Sequence, residues 1–195
     1  MRKNMKKIII ITIIIALVAI IVTTIFIFHS KNSANEKEPY DFNFEITENP
    51  YGFQWGMSID EVEDKIKEIG LTKVKNINTT IVCNGYDFQN ISGLNVKVFF
   101  LFDKDKELTD IMHSFDFTNT SFDFTSSEFF EAYKKELSNV FGKEIKHPEQ
   151  KENVTYWLGD KTFITALNSS ENKISFTFTD ITSQPALVDD LKLLK

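Results

Sequence analysis

An uninterrupted apolar run near the amino terminus places the strongest constraint on the structure of this chain. The run begins at Ile8 and ends at Phe28, reads IIIITIIIALVAIIVTTIFIF, and contains no charged residue. At a helical rise of about 1.5 Å per residue it is roughly 30 Å long, which matches the hydrocarbon thickness of a bilayer. Helices of water-soluble domains are rarely apolar on every side. The run therefore predicts a transmembrane helix over residues 8–28.

A cleaved signal peptide is the competing interpretation of this run. The apolar region of a signal peptide is usually about 7–15 residues long. This run is longer, and the polar stretch after it offers only a weak cleavage site near Ala34. A lipidated amino terminus would need a Cys directly after the run, but the one Cys of the chain is Cys83. We therefore expect a retained signal anchor.

The residues that flank the run set the expected orientation. Residues 1–7 carry basic and no acidic side chains, and such basic flanks stay in the cytoplasm. Residues 29–39 are polar and show no apolar periodicity, which indicates a juxtamembrane linker. The rest of the chain is then extracytoplasmic, in a single-pass protein of the cell membrane. A composition rich in Ile, Lys, Asn and Phe is typical of bacteria with AT-rich genomes.

The exported part of the chain is acidic, and this bears on its partners. Without the four basic residues before Ile8, 18 of the 22 Lys and Arg stand against 28 Asp and Glu, a net charge of about −10. Nucleic-acid binding depends on clustered basic residues, as does docking on anionic lipid. We expect no nucleic-acid partner and membrane contact only through residues 8–28. A basic protein is the partner that this charge favours.

The segment FQWGMSIDEVEDKIKEIG, residues 53–70, has the clearest local signals. Ser58 and Glu61 have the spacing of a capping box, in which each side chain bonds the other residue's backbone N–H. Gly70 stands where a left-handed helix cap belongs. The apolar residues at helical spacing are Ile59, Val62, Ile66 and Ile69. The expected ion pairs are Glu61 with Lys65 and Glu63 with Lys67. An amphipathic helix is therefore predicted.

Alternation of apolar and polar residues predicts strands along the rest of the chain. The expected strands cover residues 40–46, 80–88, 94–102, 111–117, 154–158, 162–167 and 173–179. A second helix is expected over residues 127–141, with Phe130, Tyr133, Leu137 and Val140 facing inward, and a short final helix over residues 187–194. A helix followed by three strands thus occurs twice. The predicted fold class is α+β, with a transmembrane helix followed by two helix-plus-antiparallel-sheet units at residues 40–118 and 119–195.

These motifs bear a likeness to a known family. WGMSIDEVEDKIKEIG, followed by the Phe-rich hairpin VKVFFLFDKDKELTDIMHSFDF, resembles the Gly-Met-Ser/Thr-x-x-x-Val opening of small exported α/β domains. These domains are the SmpA/OmlA outer-membrane assembly lipoproteins, which are BamE-like, and the β-lactamase-inhibitor-protein-like tandem repeats. The chain departs from the lipoprotein pattern because it lacks the lipidated Cys and the Gly-x-Pro after the helix. The resemblance implies a non-catalytic domain that scaffolds or inhibits other proteins through one face of its sheet.

No residue pattern points to catalysis, a cofactor or a metal. His29, His113 and His147 are scattered, without zinc-ligand spacing, and we expect His113 to be a hydrogen-bonded residue of a sheet. Cys83 is expected to be a small buried core residue. DKDKE, residues 103–107, lacks the Gly of a calcium loop and is interpreted as a hairpin turn. We expect no enzyme activity. The alternatives are a cell-envelope hydrolase with unidentified carboxylates and a structural accessory subunit of a membrane complex.

Several strands carry bulky apolar residues on both faces. Phe99 and Leu101 alternate with two further Phe, and Trp157 is flanked by Tyr and Leu. A sheet covered on both sides is one interpretation. An open face is the other, since exposed apolar clusters mark interaction sites, and its patch would contain Trp157, Phe99 and Leu101. The expected function is a membrane-anchored protein-binding module of the bacterial cell envelope.

Overall fold

The computed structural model describes residues 40–85, 88–118, 121–148 and 153–195. The predicted transmembrane helix and linker, residues 8–28 and 29–39, lie outside these residues. The elements in chain order are α1 (Ile59–Glu68), β1 (Thr72–Ile77), β2 (Thr80–Gly85), β3 (Val96–Phe102), β4 (Leu108–Asp116), α2 (Ser126–Phe141), β5 (Val154–Leu158), β6 (Thr162–Ser170), β7 (Lys173–Asp180) and α3 (Pro185–Leu194). All of them belong to one compact unit, Asp41–Lys195. The predicted α+β class is confirmed.

The described strands form one antiparallel sheet of seven, in the order β1-β2-β3-β4-β7-β6-β5. The early and late strands meet where β4 pairs with β7, and His113 lies opposite Phe176 in the middle of that pair. Side chains alternate between the two faces of a sheet, and directly paired residues lie on the same face. The register therefore assigns each strand residue to one of two faces.

One face, which we call the helix-covered face, carries the main apolar core. Its central row consists of Cys83, Val98, His113, Phe176, Ala166 and Thr155. Val62 and Ile66 of α1 are buried in this core together with the apolar side of α2. Aromatic rings dominate the packing, and the rings of Tyr133 and Phe176 have centroids 4.1 Å apart. Full burial of a Val, Leu or Phe side chain contributes about 1.5–3 kcal/mol, so this layer holds the two helices on the sheet.

The amino-terminal end of α1 is formed as predicted. Ser58 is the N-cap, and both hydrogen bonds of its capping box with Glu61 are present. Gly70 adopts φ +75°, the left-handed conformation expected after the helix. The predicted ion pairs are not the ones observed. Glu63 pairs with Lys73 of β1 at 2.9 Å.

The reason lies in competing partners along the helix. The Glu61 carboxylate accepts hydrogen bonds from the backbone N–H and the hydroxyl of Ser58, at 2.8 and 2.7 Å. Lys67 lies 2.8 Å from Asp64. Lys65 extends over the ring of Phe53, with its Nζ 5.8 Å from the ring centroid.

α2 also begins with a capping box, formed by Thr125 and Glu128. Of the four residues predicted to face inward, Phe130, Tyr133 and Leu137 are buried, but Val140 is 45% exposed. Phe141 is buried in its place. Phe141 lies four residues after Leu137 and continues the apolar side of the helix, which turns Val140 outward.

The predicted strand over residues 40–46 does not form. The alternation is real, since Phe42, Phe44 and Ile46 point inward between exposed neighbours. However, the Phe44 ring packs on Tyr133 of α2, at a centroid distance of 4.8 Å. The Gln89 side-chain amide replaces a neighbouring strand. It accepts from the Glu45 N–H at 3.0 Å and donates to the Glu45 carbonyl at 2.8 Å.

β1 has no counterpart among the predicted strands. Its six residues are all exposed, so it lacks the apolar alternation that marks a half-buried strand. The register with β2 shifts between Lys73 and Lys75. Charged residues and an irregular register are typical of edge strands, because they hinder pairing with other chains.

Among the described residues, the face opposite the helix-covered face is covered at one end only. There α3 places Val188 and Leu191 in a second apolar cluster, whose members on β5 and β6 are Tyr156, Leu158 and Phe163. Ile145 joins this cluster and forms a two-bond bridge with the backbone of Tyr156, at 2.8 and 3.0 Å. The outer edge of β5 is therefore partly paired.

Candidate functional site

The part of this face that no described residue covers, which we call the open face, has an apolar centre formed by Val82, Phe99, Leu101 and Met112. Val82 and Met112 pair with Phe99 from either side, and Leu101 is the next residue of β3 on the same face. All four are half-buried. None belongs to either apolar cluster of the described residues. Two of the three predicted patch residues therefore lie together on an accessible surface.

The third predicted patch residue, Trp157, lies elsewhere. It pairs with Ile164 on the helix-covered face and is 0% exposed. Its indole N–H donates to the Ser138 hydroxyl of α2 at 3.0 Å. Trp157 is therefore a core residue that links β5 to α2 through this hydrogen bond. It does not share a surface with Phe99 and Leu101. Sequence reasoning missed Val82 and Met112, which the cross-strand register brings beside Phe99.

The apolar surface of the open face extends to one edge of the sheet. Ile77 of β1 is 44% exposed. It pairs with Thr80, and Thr80 pairs with Leu101, so all three residues lie on the same face. Apolar side chains thus occur on four neighbouring strands.

Polar groups border the apolar centre on its other side. Asp110 pairs with Leu101, and its carboxylate accepts from the hydroxyls of Thr179 at 2.6 Å and Thr109 at 2.9 Å. A hollow of about 500 Å³ lies beside Phe99. The charged residues that line it are Lys97, Asp116 and Lys173. The open face therefore combines an apolar centre, a hydrogen-bonded border and a hollow with charges of both signs.

A second concavity lies on the opposite side of the sheet, and we call it the Tyr51 cavity. It has a volume of about 470 Å³ and is lined by Tyr51, Tyr133, Phe178, His113 and residues of the segment that precedes α1. Tyr51 has φ +57°, a left-handed conformation that side-chain-bearing residues seldom adopt. Burial raises the pKa of the Tyr51 phenol. Burial also raises the pKa of Tyr133, and the nearby Tyr51 adds to this effect.

His113 corrects a prediction, because its imidazole has no hydrogen-bond partner among the described residues, although the residue lies in a strand of the sheet. It is 3% exposed, and neither ring nitrogen has a hydrogen-bond partner among the described residues. Its neighbours are aromatic, with the rings of Tyr51 and Phe178 at centroid distances of 5.3 and 5.5 Å. Burial lowers the pKa of His113 to about 3, so the imidazole is neutral at pH 7.

Cys83 and the turn at residues 103–107 have structural roles. Cys83 is 0% exposed, and burial raises the pKa of its thiol to about 11. The Asp103 carboxylate accepts from the backbone N–H groups of Asp105 and Glu107, both at 2.9 Å, which closes the predicted hairpin turn. Within the described ranges, no three His, Cys, Asp or Glu residues are placed to hold a metal ion.

Comparison with known proteins assigns no function to the open face or to the Tyr51 cavity. No protein-family model, curated protein or solved structure matches this chain. In the part of the chain that the structure describes, no helix has the length and apolar character needed to cross a membrane. The resemblance to the SmpA/OmlA and β-lactamase-inhibitor-protein-like domains stays a prediction.

Proposed function

We propose that this protein is a membrane-anchored, extracytoplasmic and non-catalytic protein-binding module of the bacterial cell envelope, with the open face as its binding surface. The observation that carries the proposal is the apolar centre formed by Val82, Phe99, Leu101 and Met112. These side chains lie on the outer side of the sheet, where the helices leave them half-exposed.

A contrast within the same face supports this proposal. On β7 and β6, the row of paired residues that contains Val82, Phe99 and Met112 continues with Thr177 and Thr165. Small polar residues are the usual choice for a sheet face in contact with water. The apolar residues of β2, β3 and β4 depart from that choice without gaining contacts in either core cluster. Burial of apolar surface against a partner contributes about 25 cal/mol per Å², from which the cost of association is subtracted.

The expected partner is a protein with an apolar anchor and a basic surface. Aromatic side chains dominate the binding energy of many interfaces, and Phe99 at the rim of the hollow is the aromatic residue of the apolar centre. The net charge of about −10 after residue 7 favours association with a basic partner, which is faster at low salt. The hollow has room for an inserted side chain of the partner.

We also propose that the sheet consists of two related helix-plus-sheet units, residues 40–118 and 119–195, as in tandem-repeat domains. Each unit contains a helix with a capping box, at Ser58 and at Thr125. Each helix is followed by antiparallel strands, and the last strand of each unit pairs with that of the other. Residues 8–28 would anchor both units outside the membrane.

Site-specific photo-crosslinking in intact cells tests the binding function. A benzoylphenylalanine placed at Met112 should yield a discrete crosslinked species, because this position lies in the apolar centre. The same group at Glu68, an exposed residue of α1, is the control and should not yield that species. Absence of the species, or equal yield from both positions, would contradict the proposal.

Charge variants on the same face sharpen the test. Leu101→Asp should abolish the crosslink from position 112, because it places a charge in the apolar centre. Thr165→Asp, on the polar half of the same face, should leave it intact. A crosslinked species with the mass of two copies of this chain would show self-association and would refute binding to a different protein. Hydrolysis of envelope polymers by the purified chain would favour the hydrolase alternative.

A further inference from the structure

The Tyr51 cavity has the features of a small-molecule site. It lies on the other side of the sheet from the open face. Its volume of about 470 Å³ falls within the range of roughly 300–1,000 Å³ that is usual for such sites. Aromatic side chains from three separate elements line it. Tyr51 comes from the segment before α1, Tyr133 from α2 and Phe178 from β7. The fold therefore brings together rings that are far apart in the sequence.

The charge distribution around the cavity favours a cation. Among the described residues that line it, none is Lys or Arg, whereas Glu45 is exposed and carries a carboxylate. Lys65 approaches Gly52 but lies over the Phe53 ring. His113 is neutral at pH 7 because burial lowers its pKa to about 3. Apart from Lys65 at its rim, the lining thus offers an anion no positive charge.

The aromatic walls favour a particular kind of cation. The face of a Tyr, Phe or Trp ring attracts a positive charge within about 6 Å of its centre, and organic ammonium ions are bound in this way. His113, which also lines the cavity, is a second observation that points to a ligand. Both of its nitrogens are buried and unpaired among the described residues, although most buried polar atoms in proteins have a partner.

We propose that the Tyr51 cavity binds an organic ammonium cation, that is, a primary or methylated amine. The positive group lies against the half-buried ring of Tyr51, above a floor formed by Tyr133 and Phe178, each 1% exposed. The Glu45 carboxylate lies within reach, and the apolar body of the amine packs against Ile46 and Pro50. This ligand is independent of the protein that the open face is proposed to bind.

Calorimetric titration of the purified full-length chain in maltoside micelles at pH 7 tests this assignment. The probes are benzylammonium, benzyl alcohol as its neutral counterpart, and benzoate as an anion of similar size. Benzylammonium should bind about tenfold more tightly than benzyl alcohol, which corresponds to a strong cation–aromatic contact. Equal affinity for the ammonium and the alcohol, or tighter binding of benzoate, would overturn the proposal.

Two variants locate the binding. Tyr51→Leu should weaken benzylammonium by a larger factor than benzyl alcohol, because it removes a ring and keeps an apolar side chain. Glu45→Gln should weaken benzylammonium alone. Glu68→Gln, which makes the same charge change on an exposed part of α1, should have no effect. Thermal melting confirms that each variant is folded. Unchanged affinity in folded Tyr51→Leu and Glu45→Gln would rule out the cavity as the site.

Discussion

Replacing His113 by Leu should make the stability of the protein less sensitive to acid. His113 is 3% exposed and unpaired among the described residues, and burial lowers its pKa from the ordinary 6.5 to about 3. The unfolded chain therefore takes up a proton on this residue near pH 6.5, whereas the folded chain does so only near pH 3. Between these values the unfolded state binds more protons, so the free energy of unfolding decreases as the pH falls.

The size of the effect follows from the same pKa difference. One pH unit within this window changes the free energy of unfolding by about 1.4 kcal/mol per group. Going from pH 7 to pH 5 should therefore remove about 2 kcal/mol through His113 alone. In His113→Leu this part of the loss should disappear. At pH 7 the variant should be no less stable, because an unpaired buried polar group costs about 1–3 kcal/mol.

Urea unfolding followed by tryptophan fluorescence at pH 7 and pH 5 measures both quantities. Phe100→Leu is the control, since Phe100 is buried on the same face of the sheet. It should lower stability at both pH values and keep the pH effect of the unmodified protein. If the unmodified protein and His113→Leu lost the same free energy between pH 7 and pH 5, His113 would not be a buried neutral group.

Three further predictions concern the cap, the thiol and the membrane. Ser58→Ala should lower the free energy of unfolding by about 1 kcal/mol, the usual cost of a lost N-cap. Glu61→Ala should lower it by less. No change in urea unfolding for either variant would show that the capping box is not formed. Cys83 is buried, and burial raises the pKa of its thiol to about 11. It should therefore resist maleimide at pH 7 in the folded protein and react in urea. Rapid labelling without urea would contradict its burial. The mature protein should keep residues 8–28 and fractionate with membranes, and a mature amino terminus near Asn35 would instead indicate a cleaved signal peptide.

Elements with local causes could be predicted from the sequence. The start of α1 depends on Ser58 and Glu61, three residues apart, and its end on Gly70, so neighbouring residues determine both. The hairpin of β3 and β4 likewise depends on alternation in each strand and on the turn that begins at Asp103. The burial of Cys83 could also be predicted, because an unpaired Cys behaves as a small apolar residue and is usually buried.

Other features depend on distant parts of the chain and could not be predicted in this way. Phe99 and Trp157 both lie in strands with bulky residues on each face, and only the positions of α2 and α3 decide which face is covered. The alternation over residues 40–46 reflects packing on α2, which periodicity cannot distinguish from strand pairing. Tyr51 and Tyr133 are far apart in sequence, and no local pattern indicates that they line one cavity.

Cysteine labelling at the open face tests the central claim most directly. In a Cys83→Ala background, Leu101→Cys should react with a membrane-impermeant maleimide in the purified protein, because Leu101 is half-exposed. Phe100→Cys, one residue away on the helix-covered face, should not react. In intact cells, where the proposed partner is present, Leu101→Cys should be protected. Equal reactivity of Leu101→Cys in cells and in the purified protein would show that no partner covers the open face, and an unreactive Leu101→Cys in the purified protein would show that the face is closed.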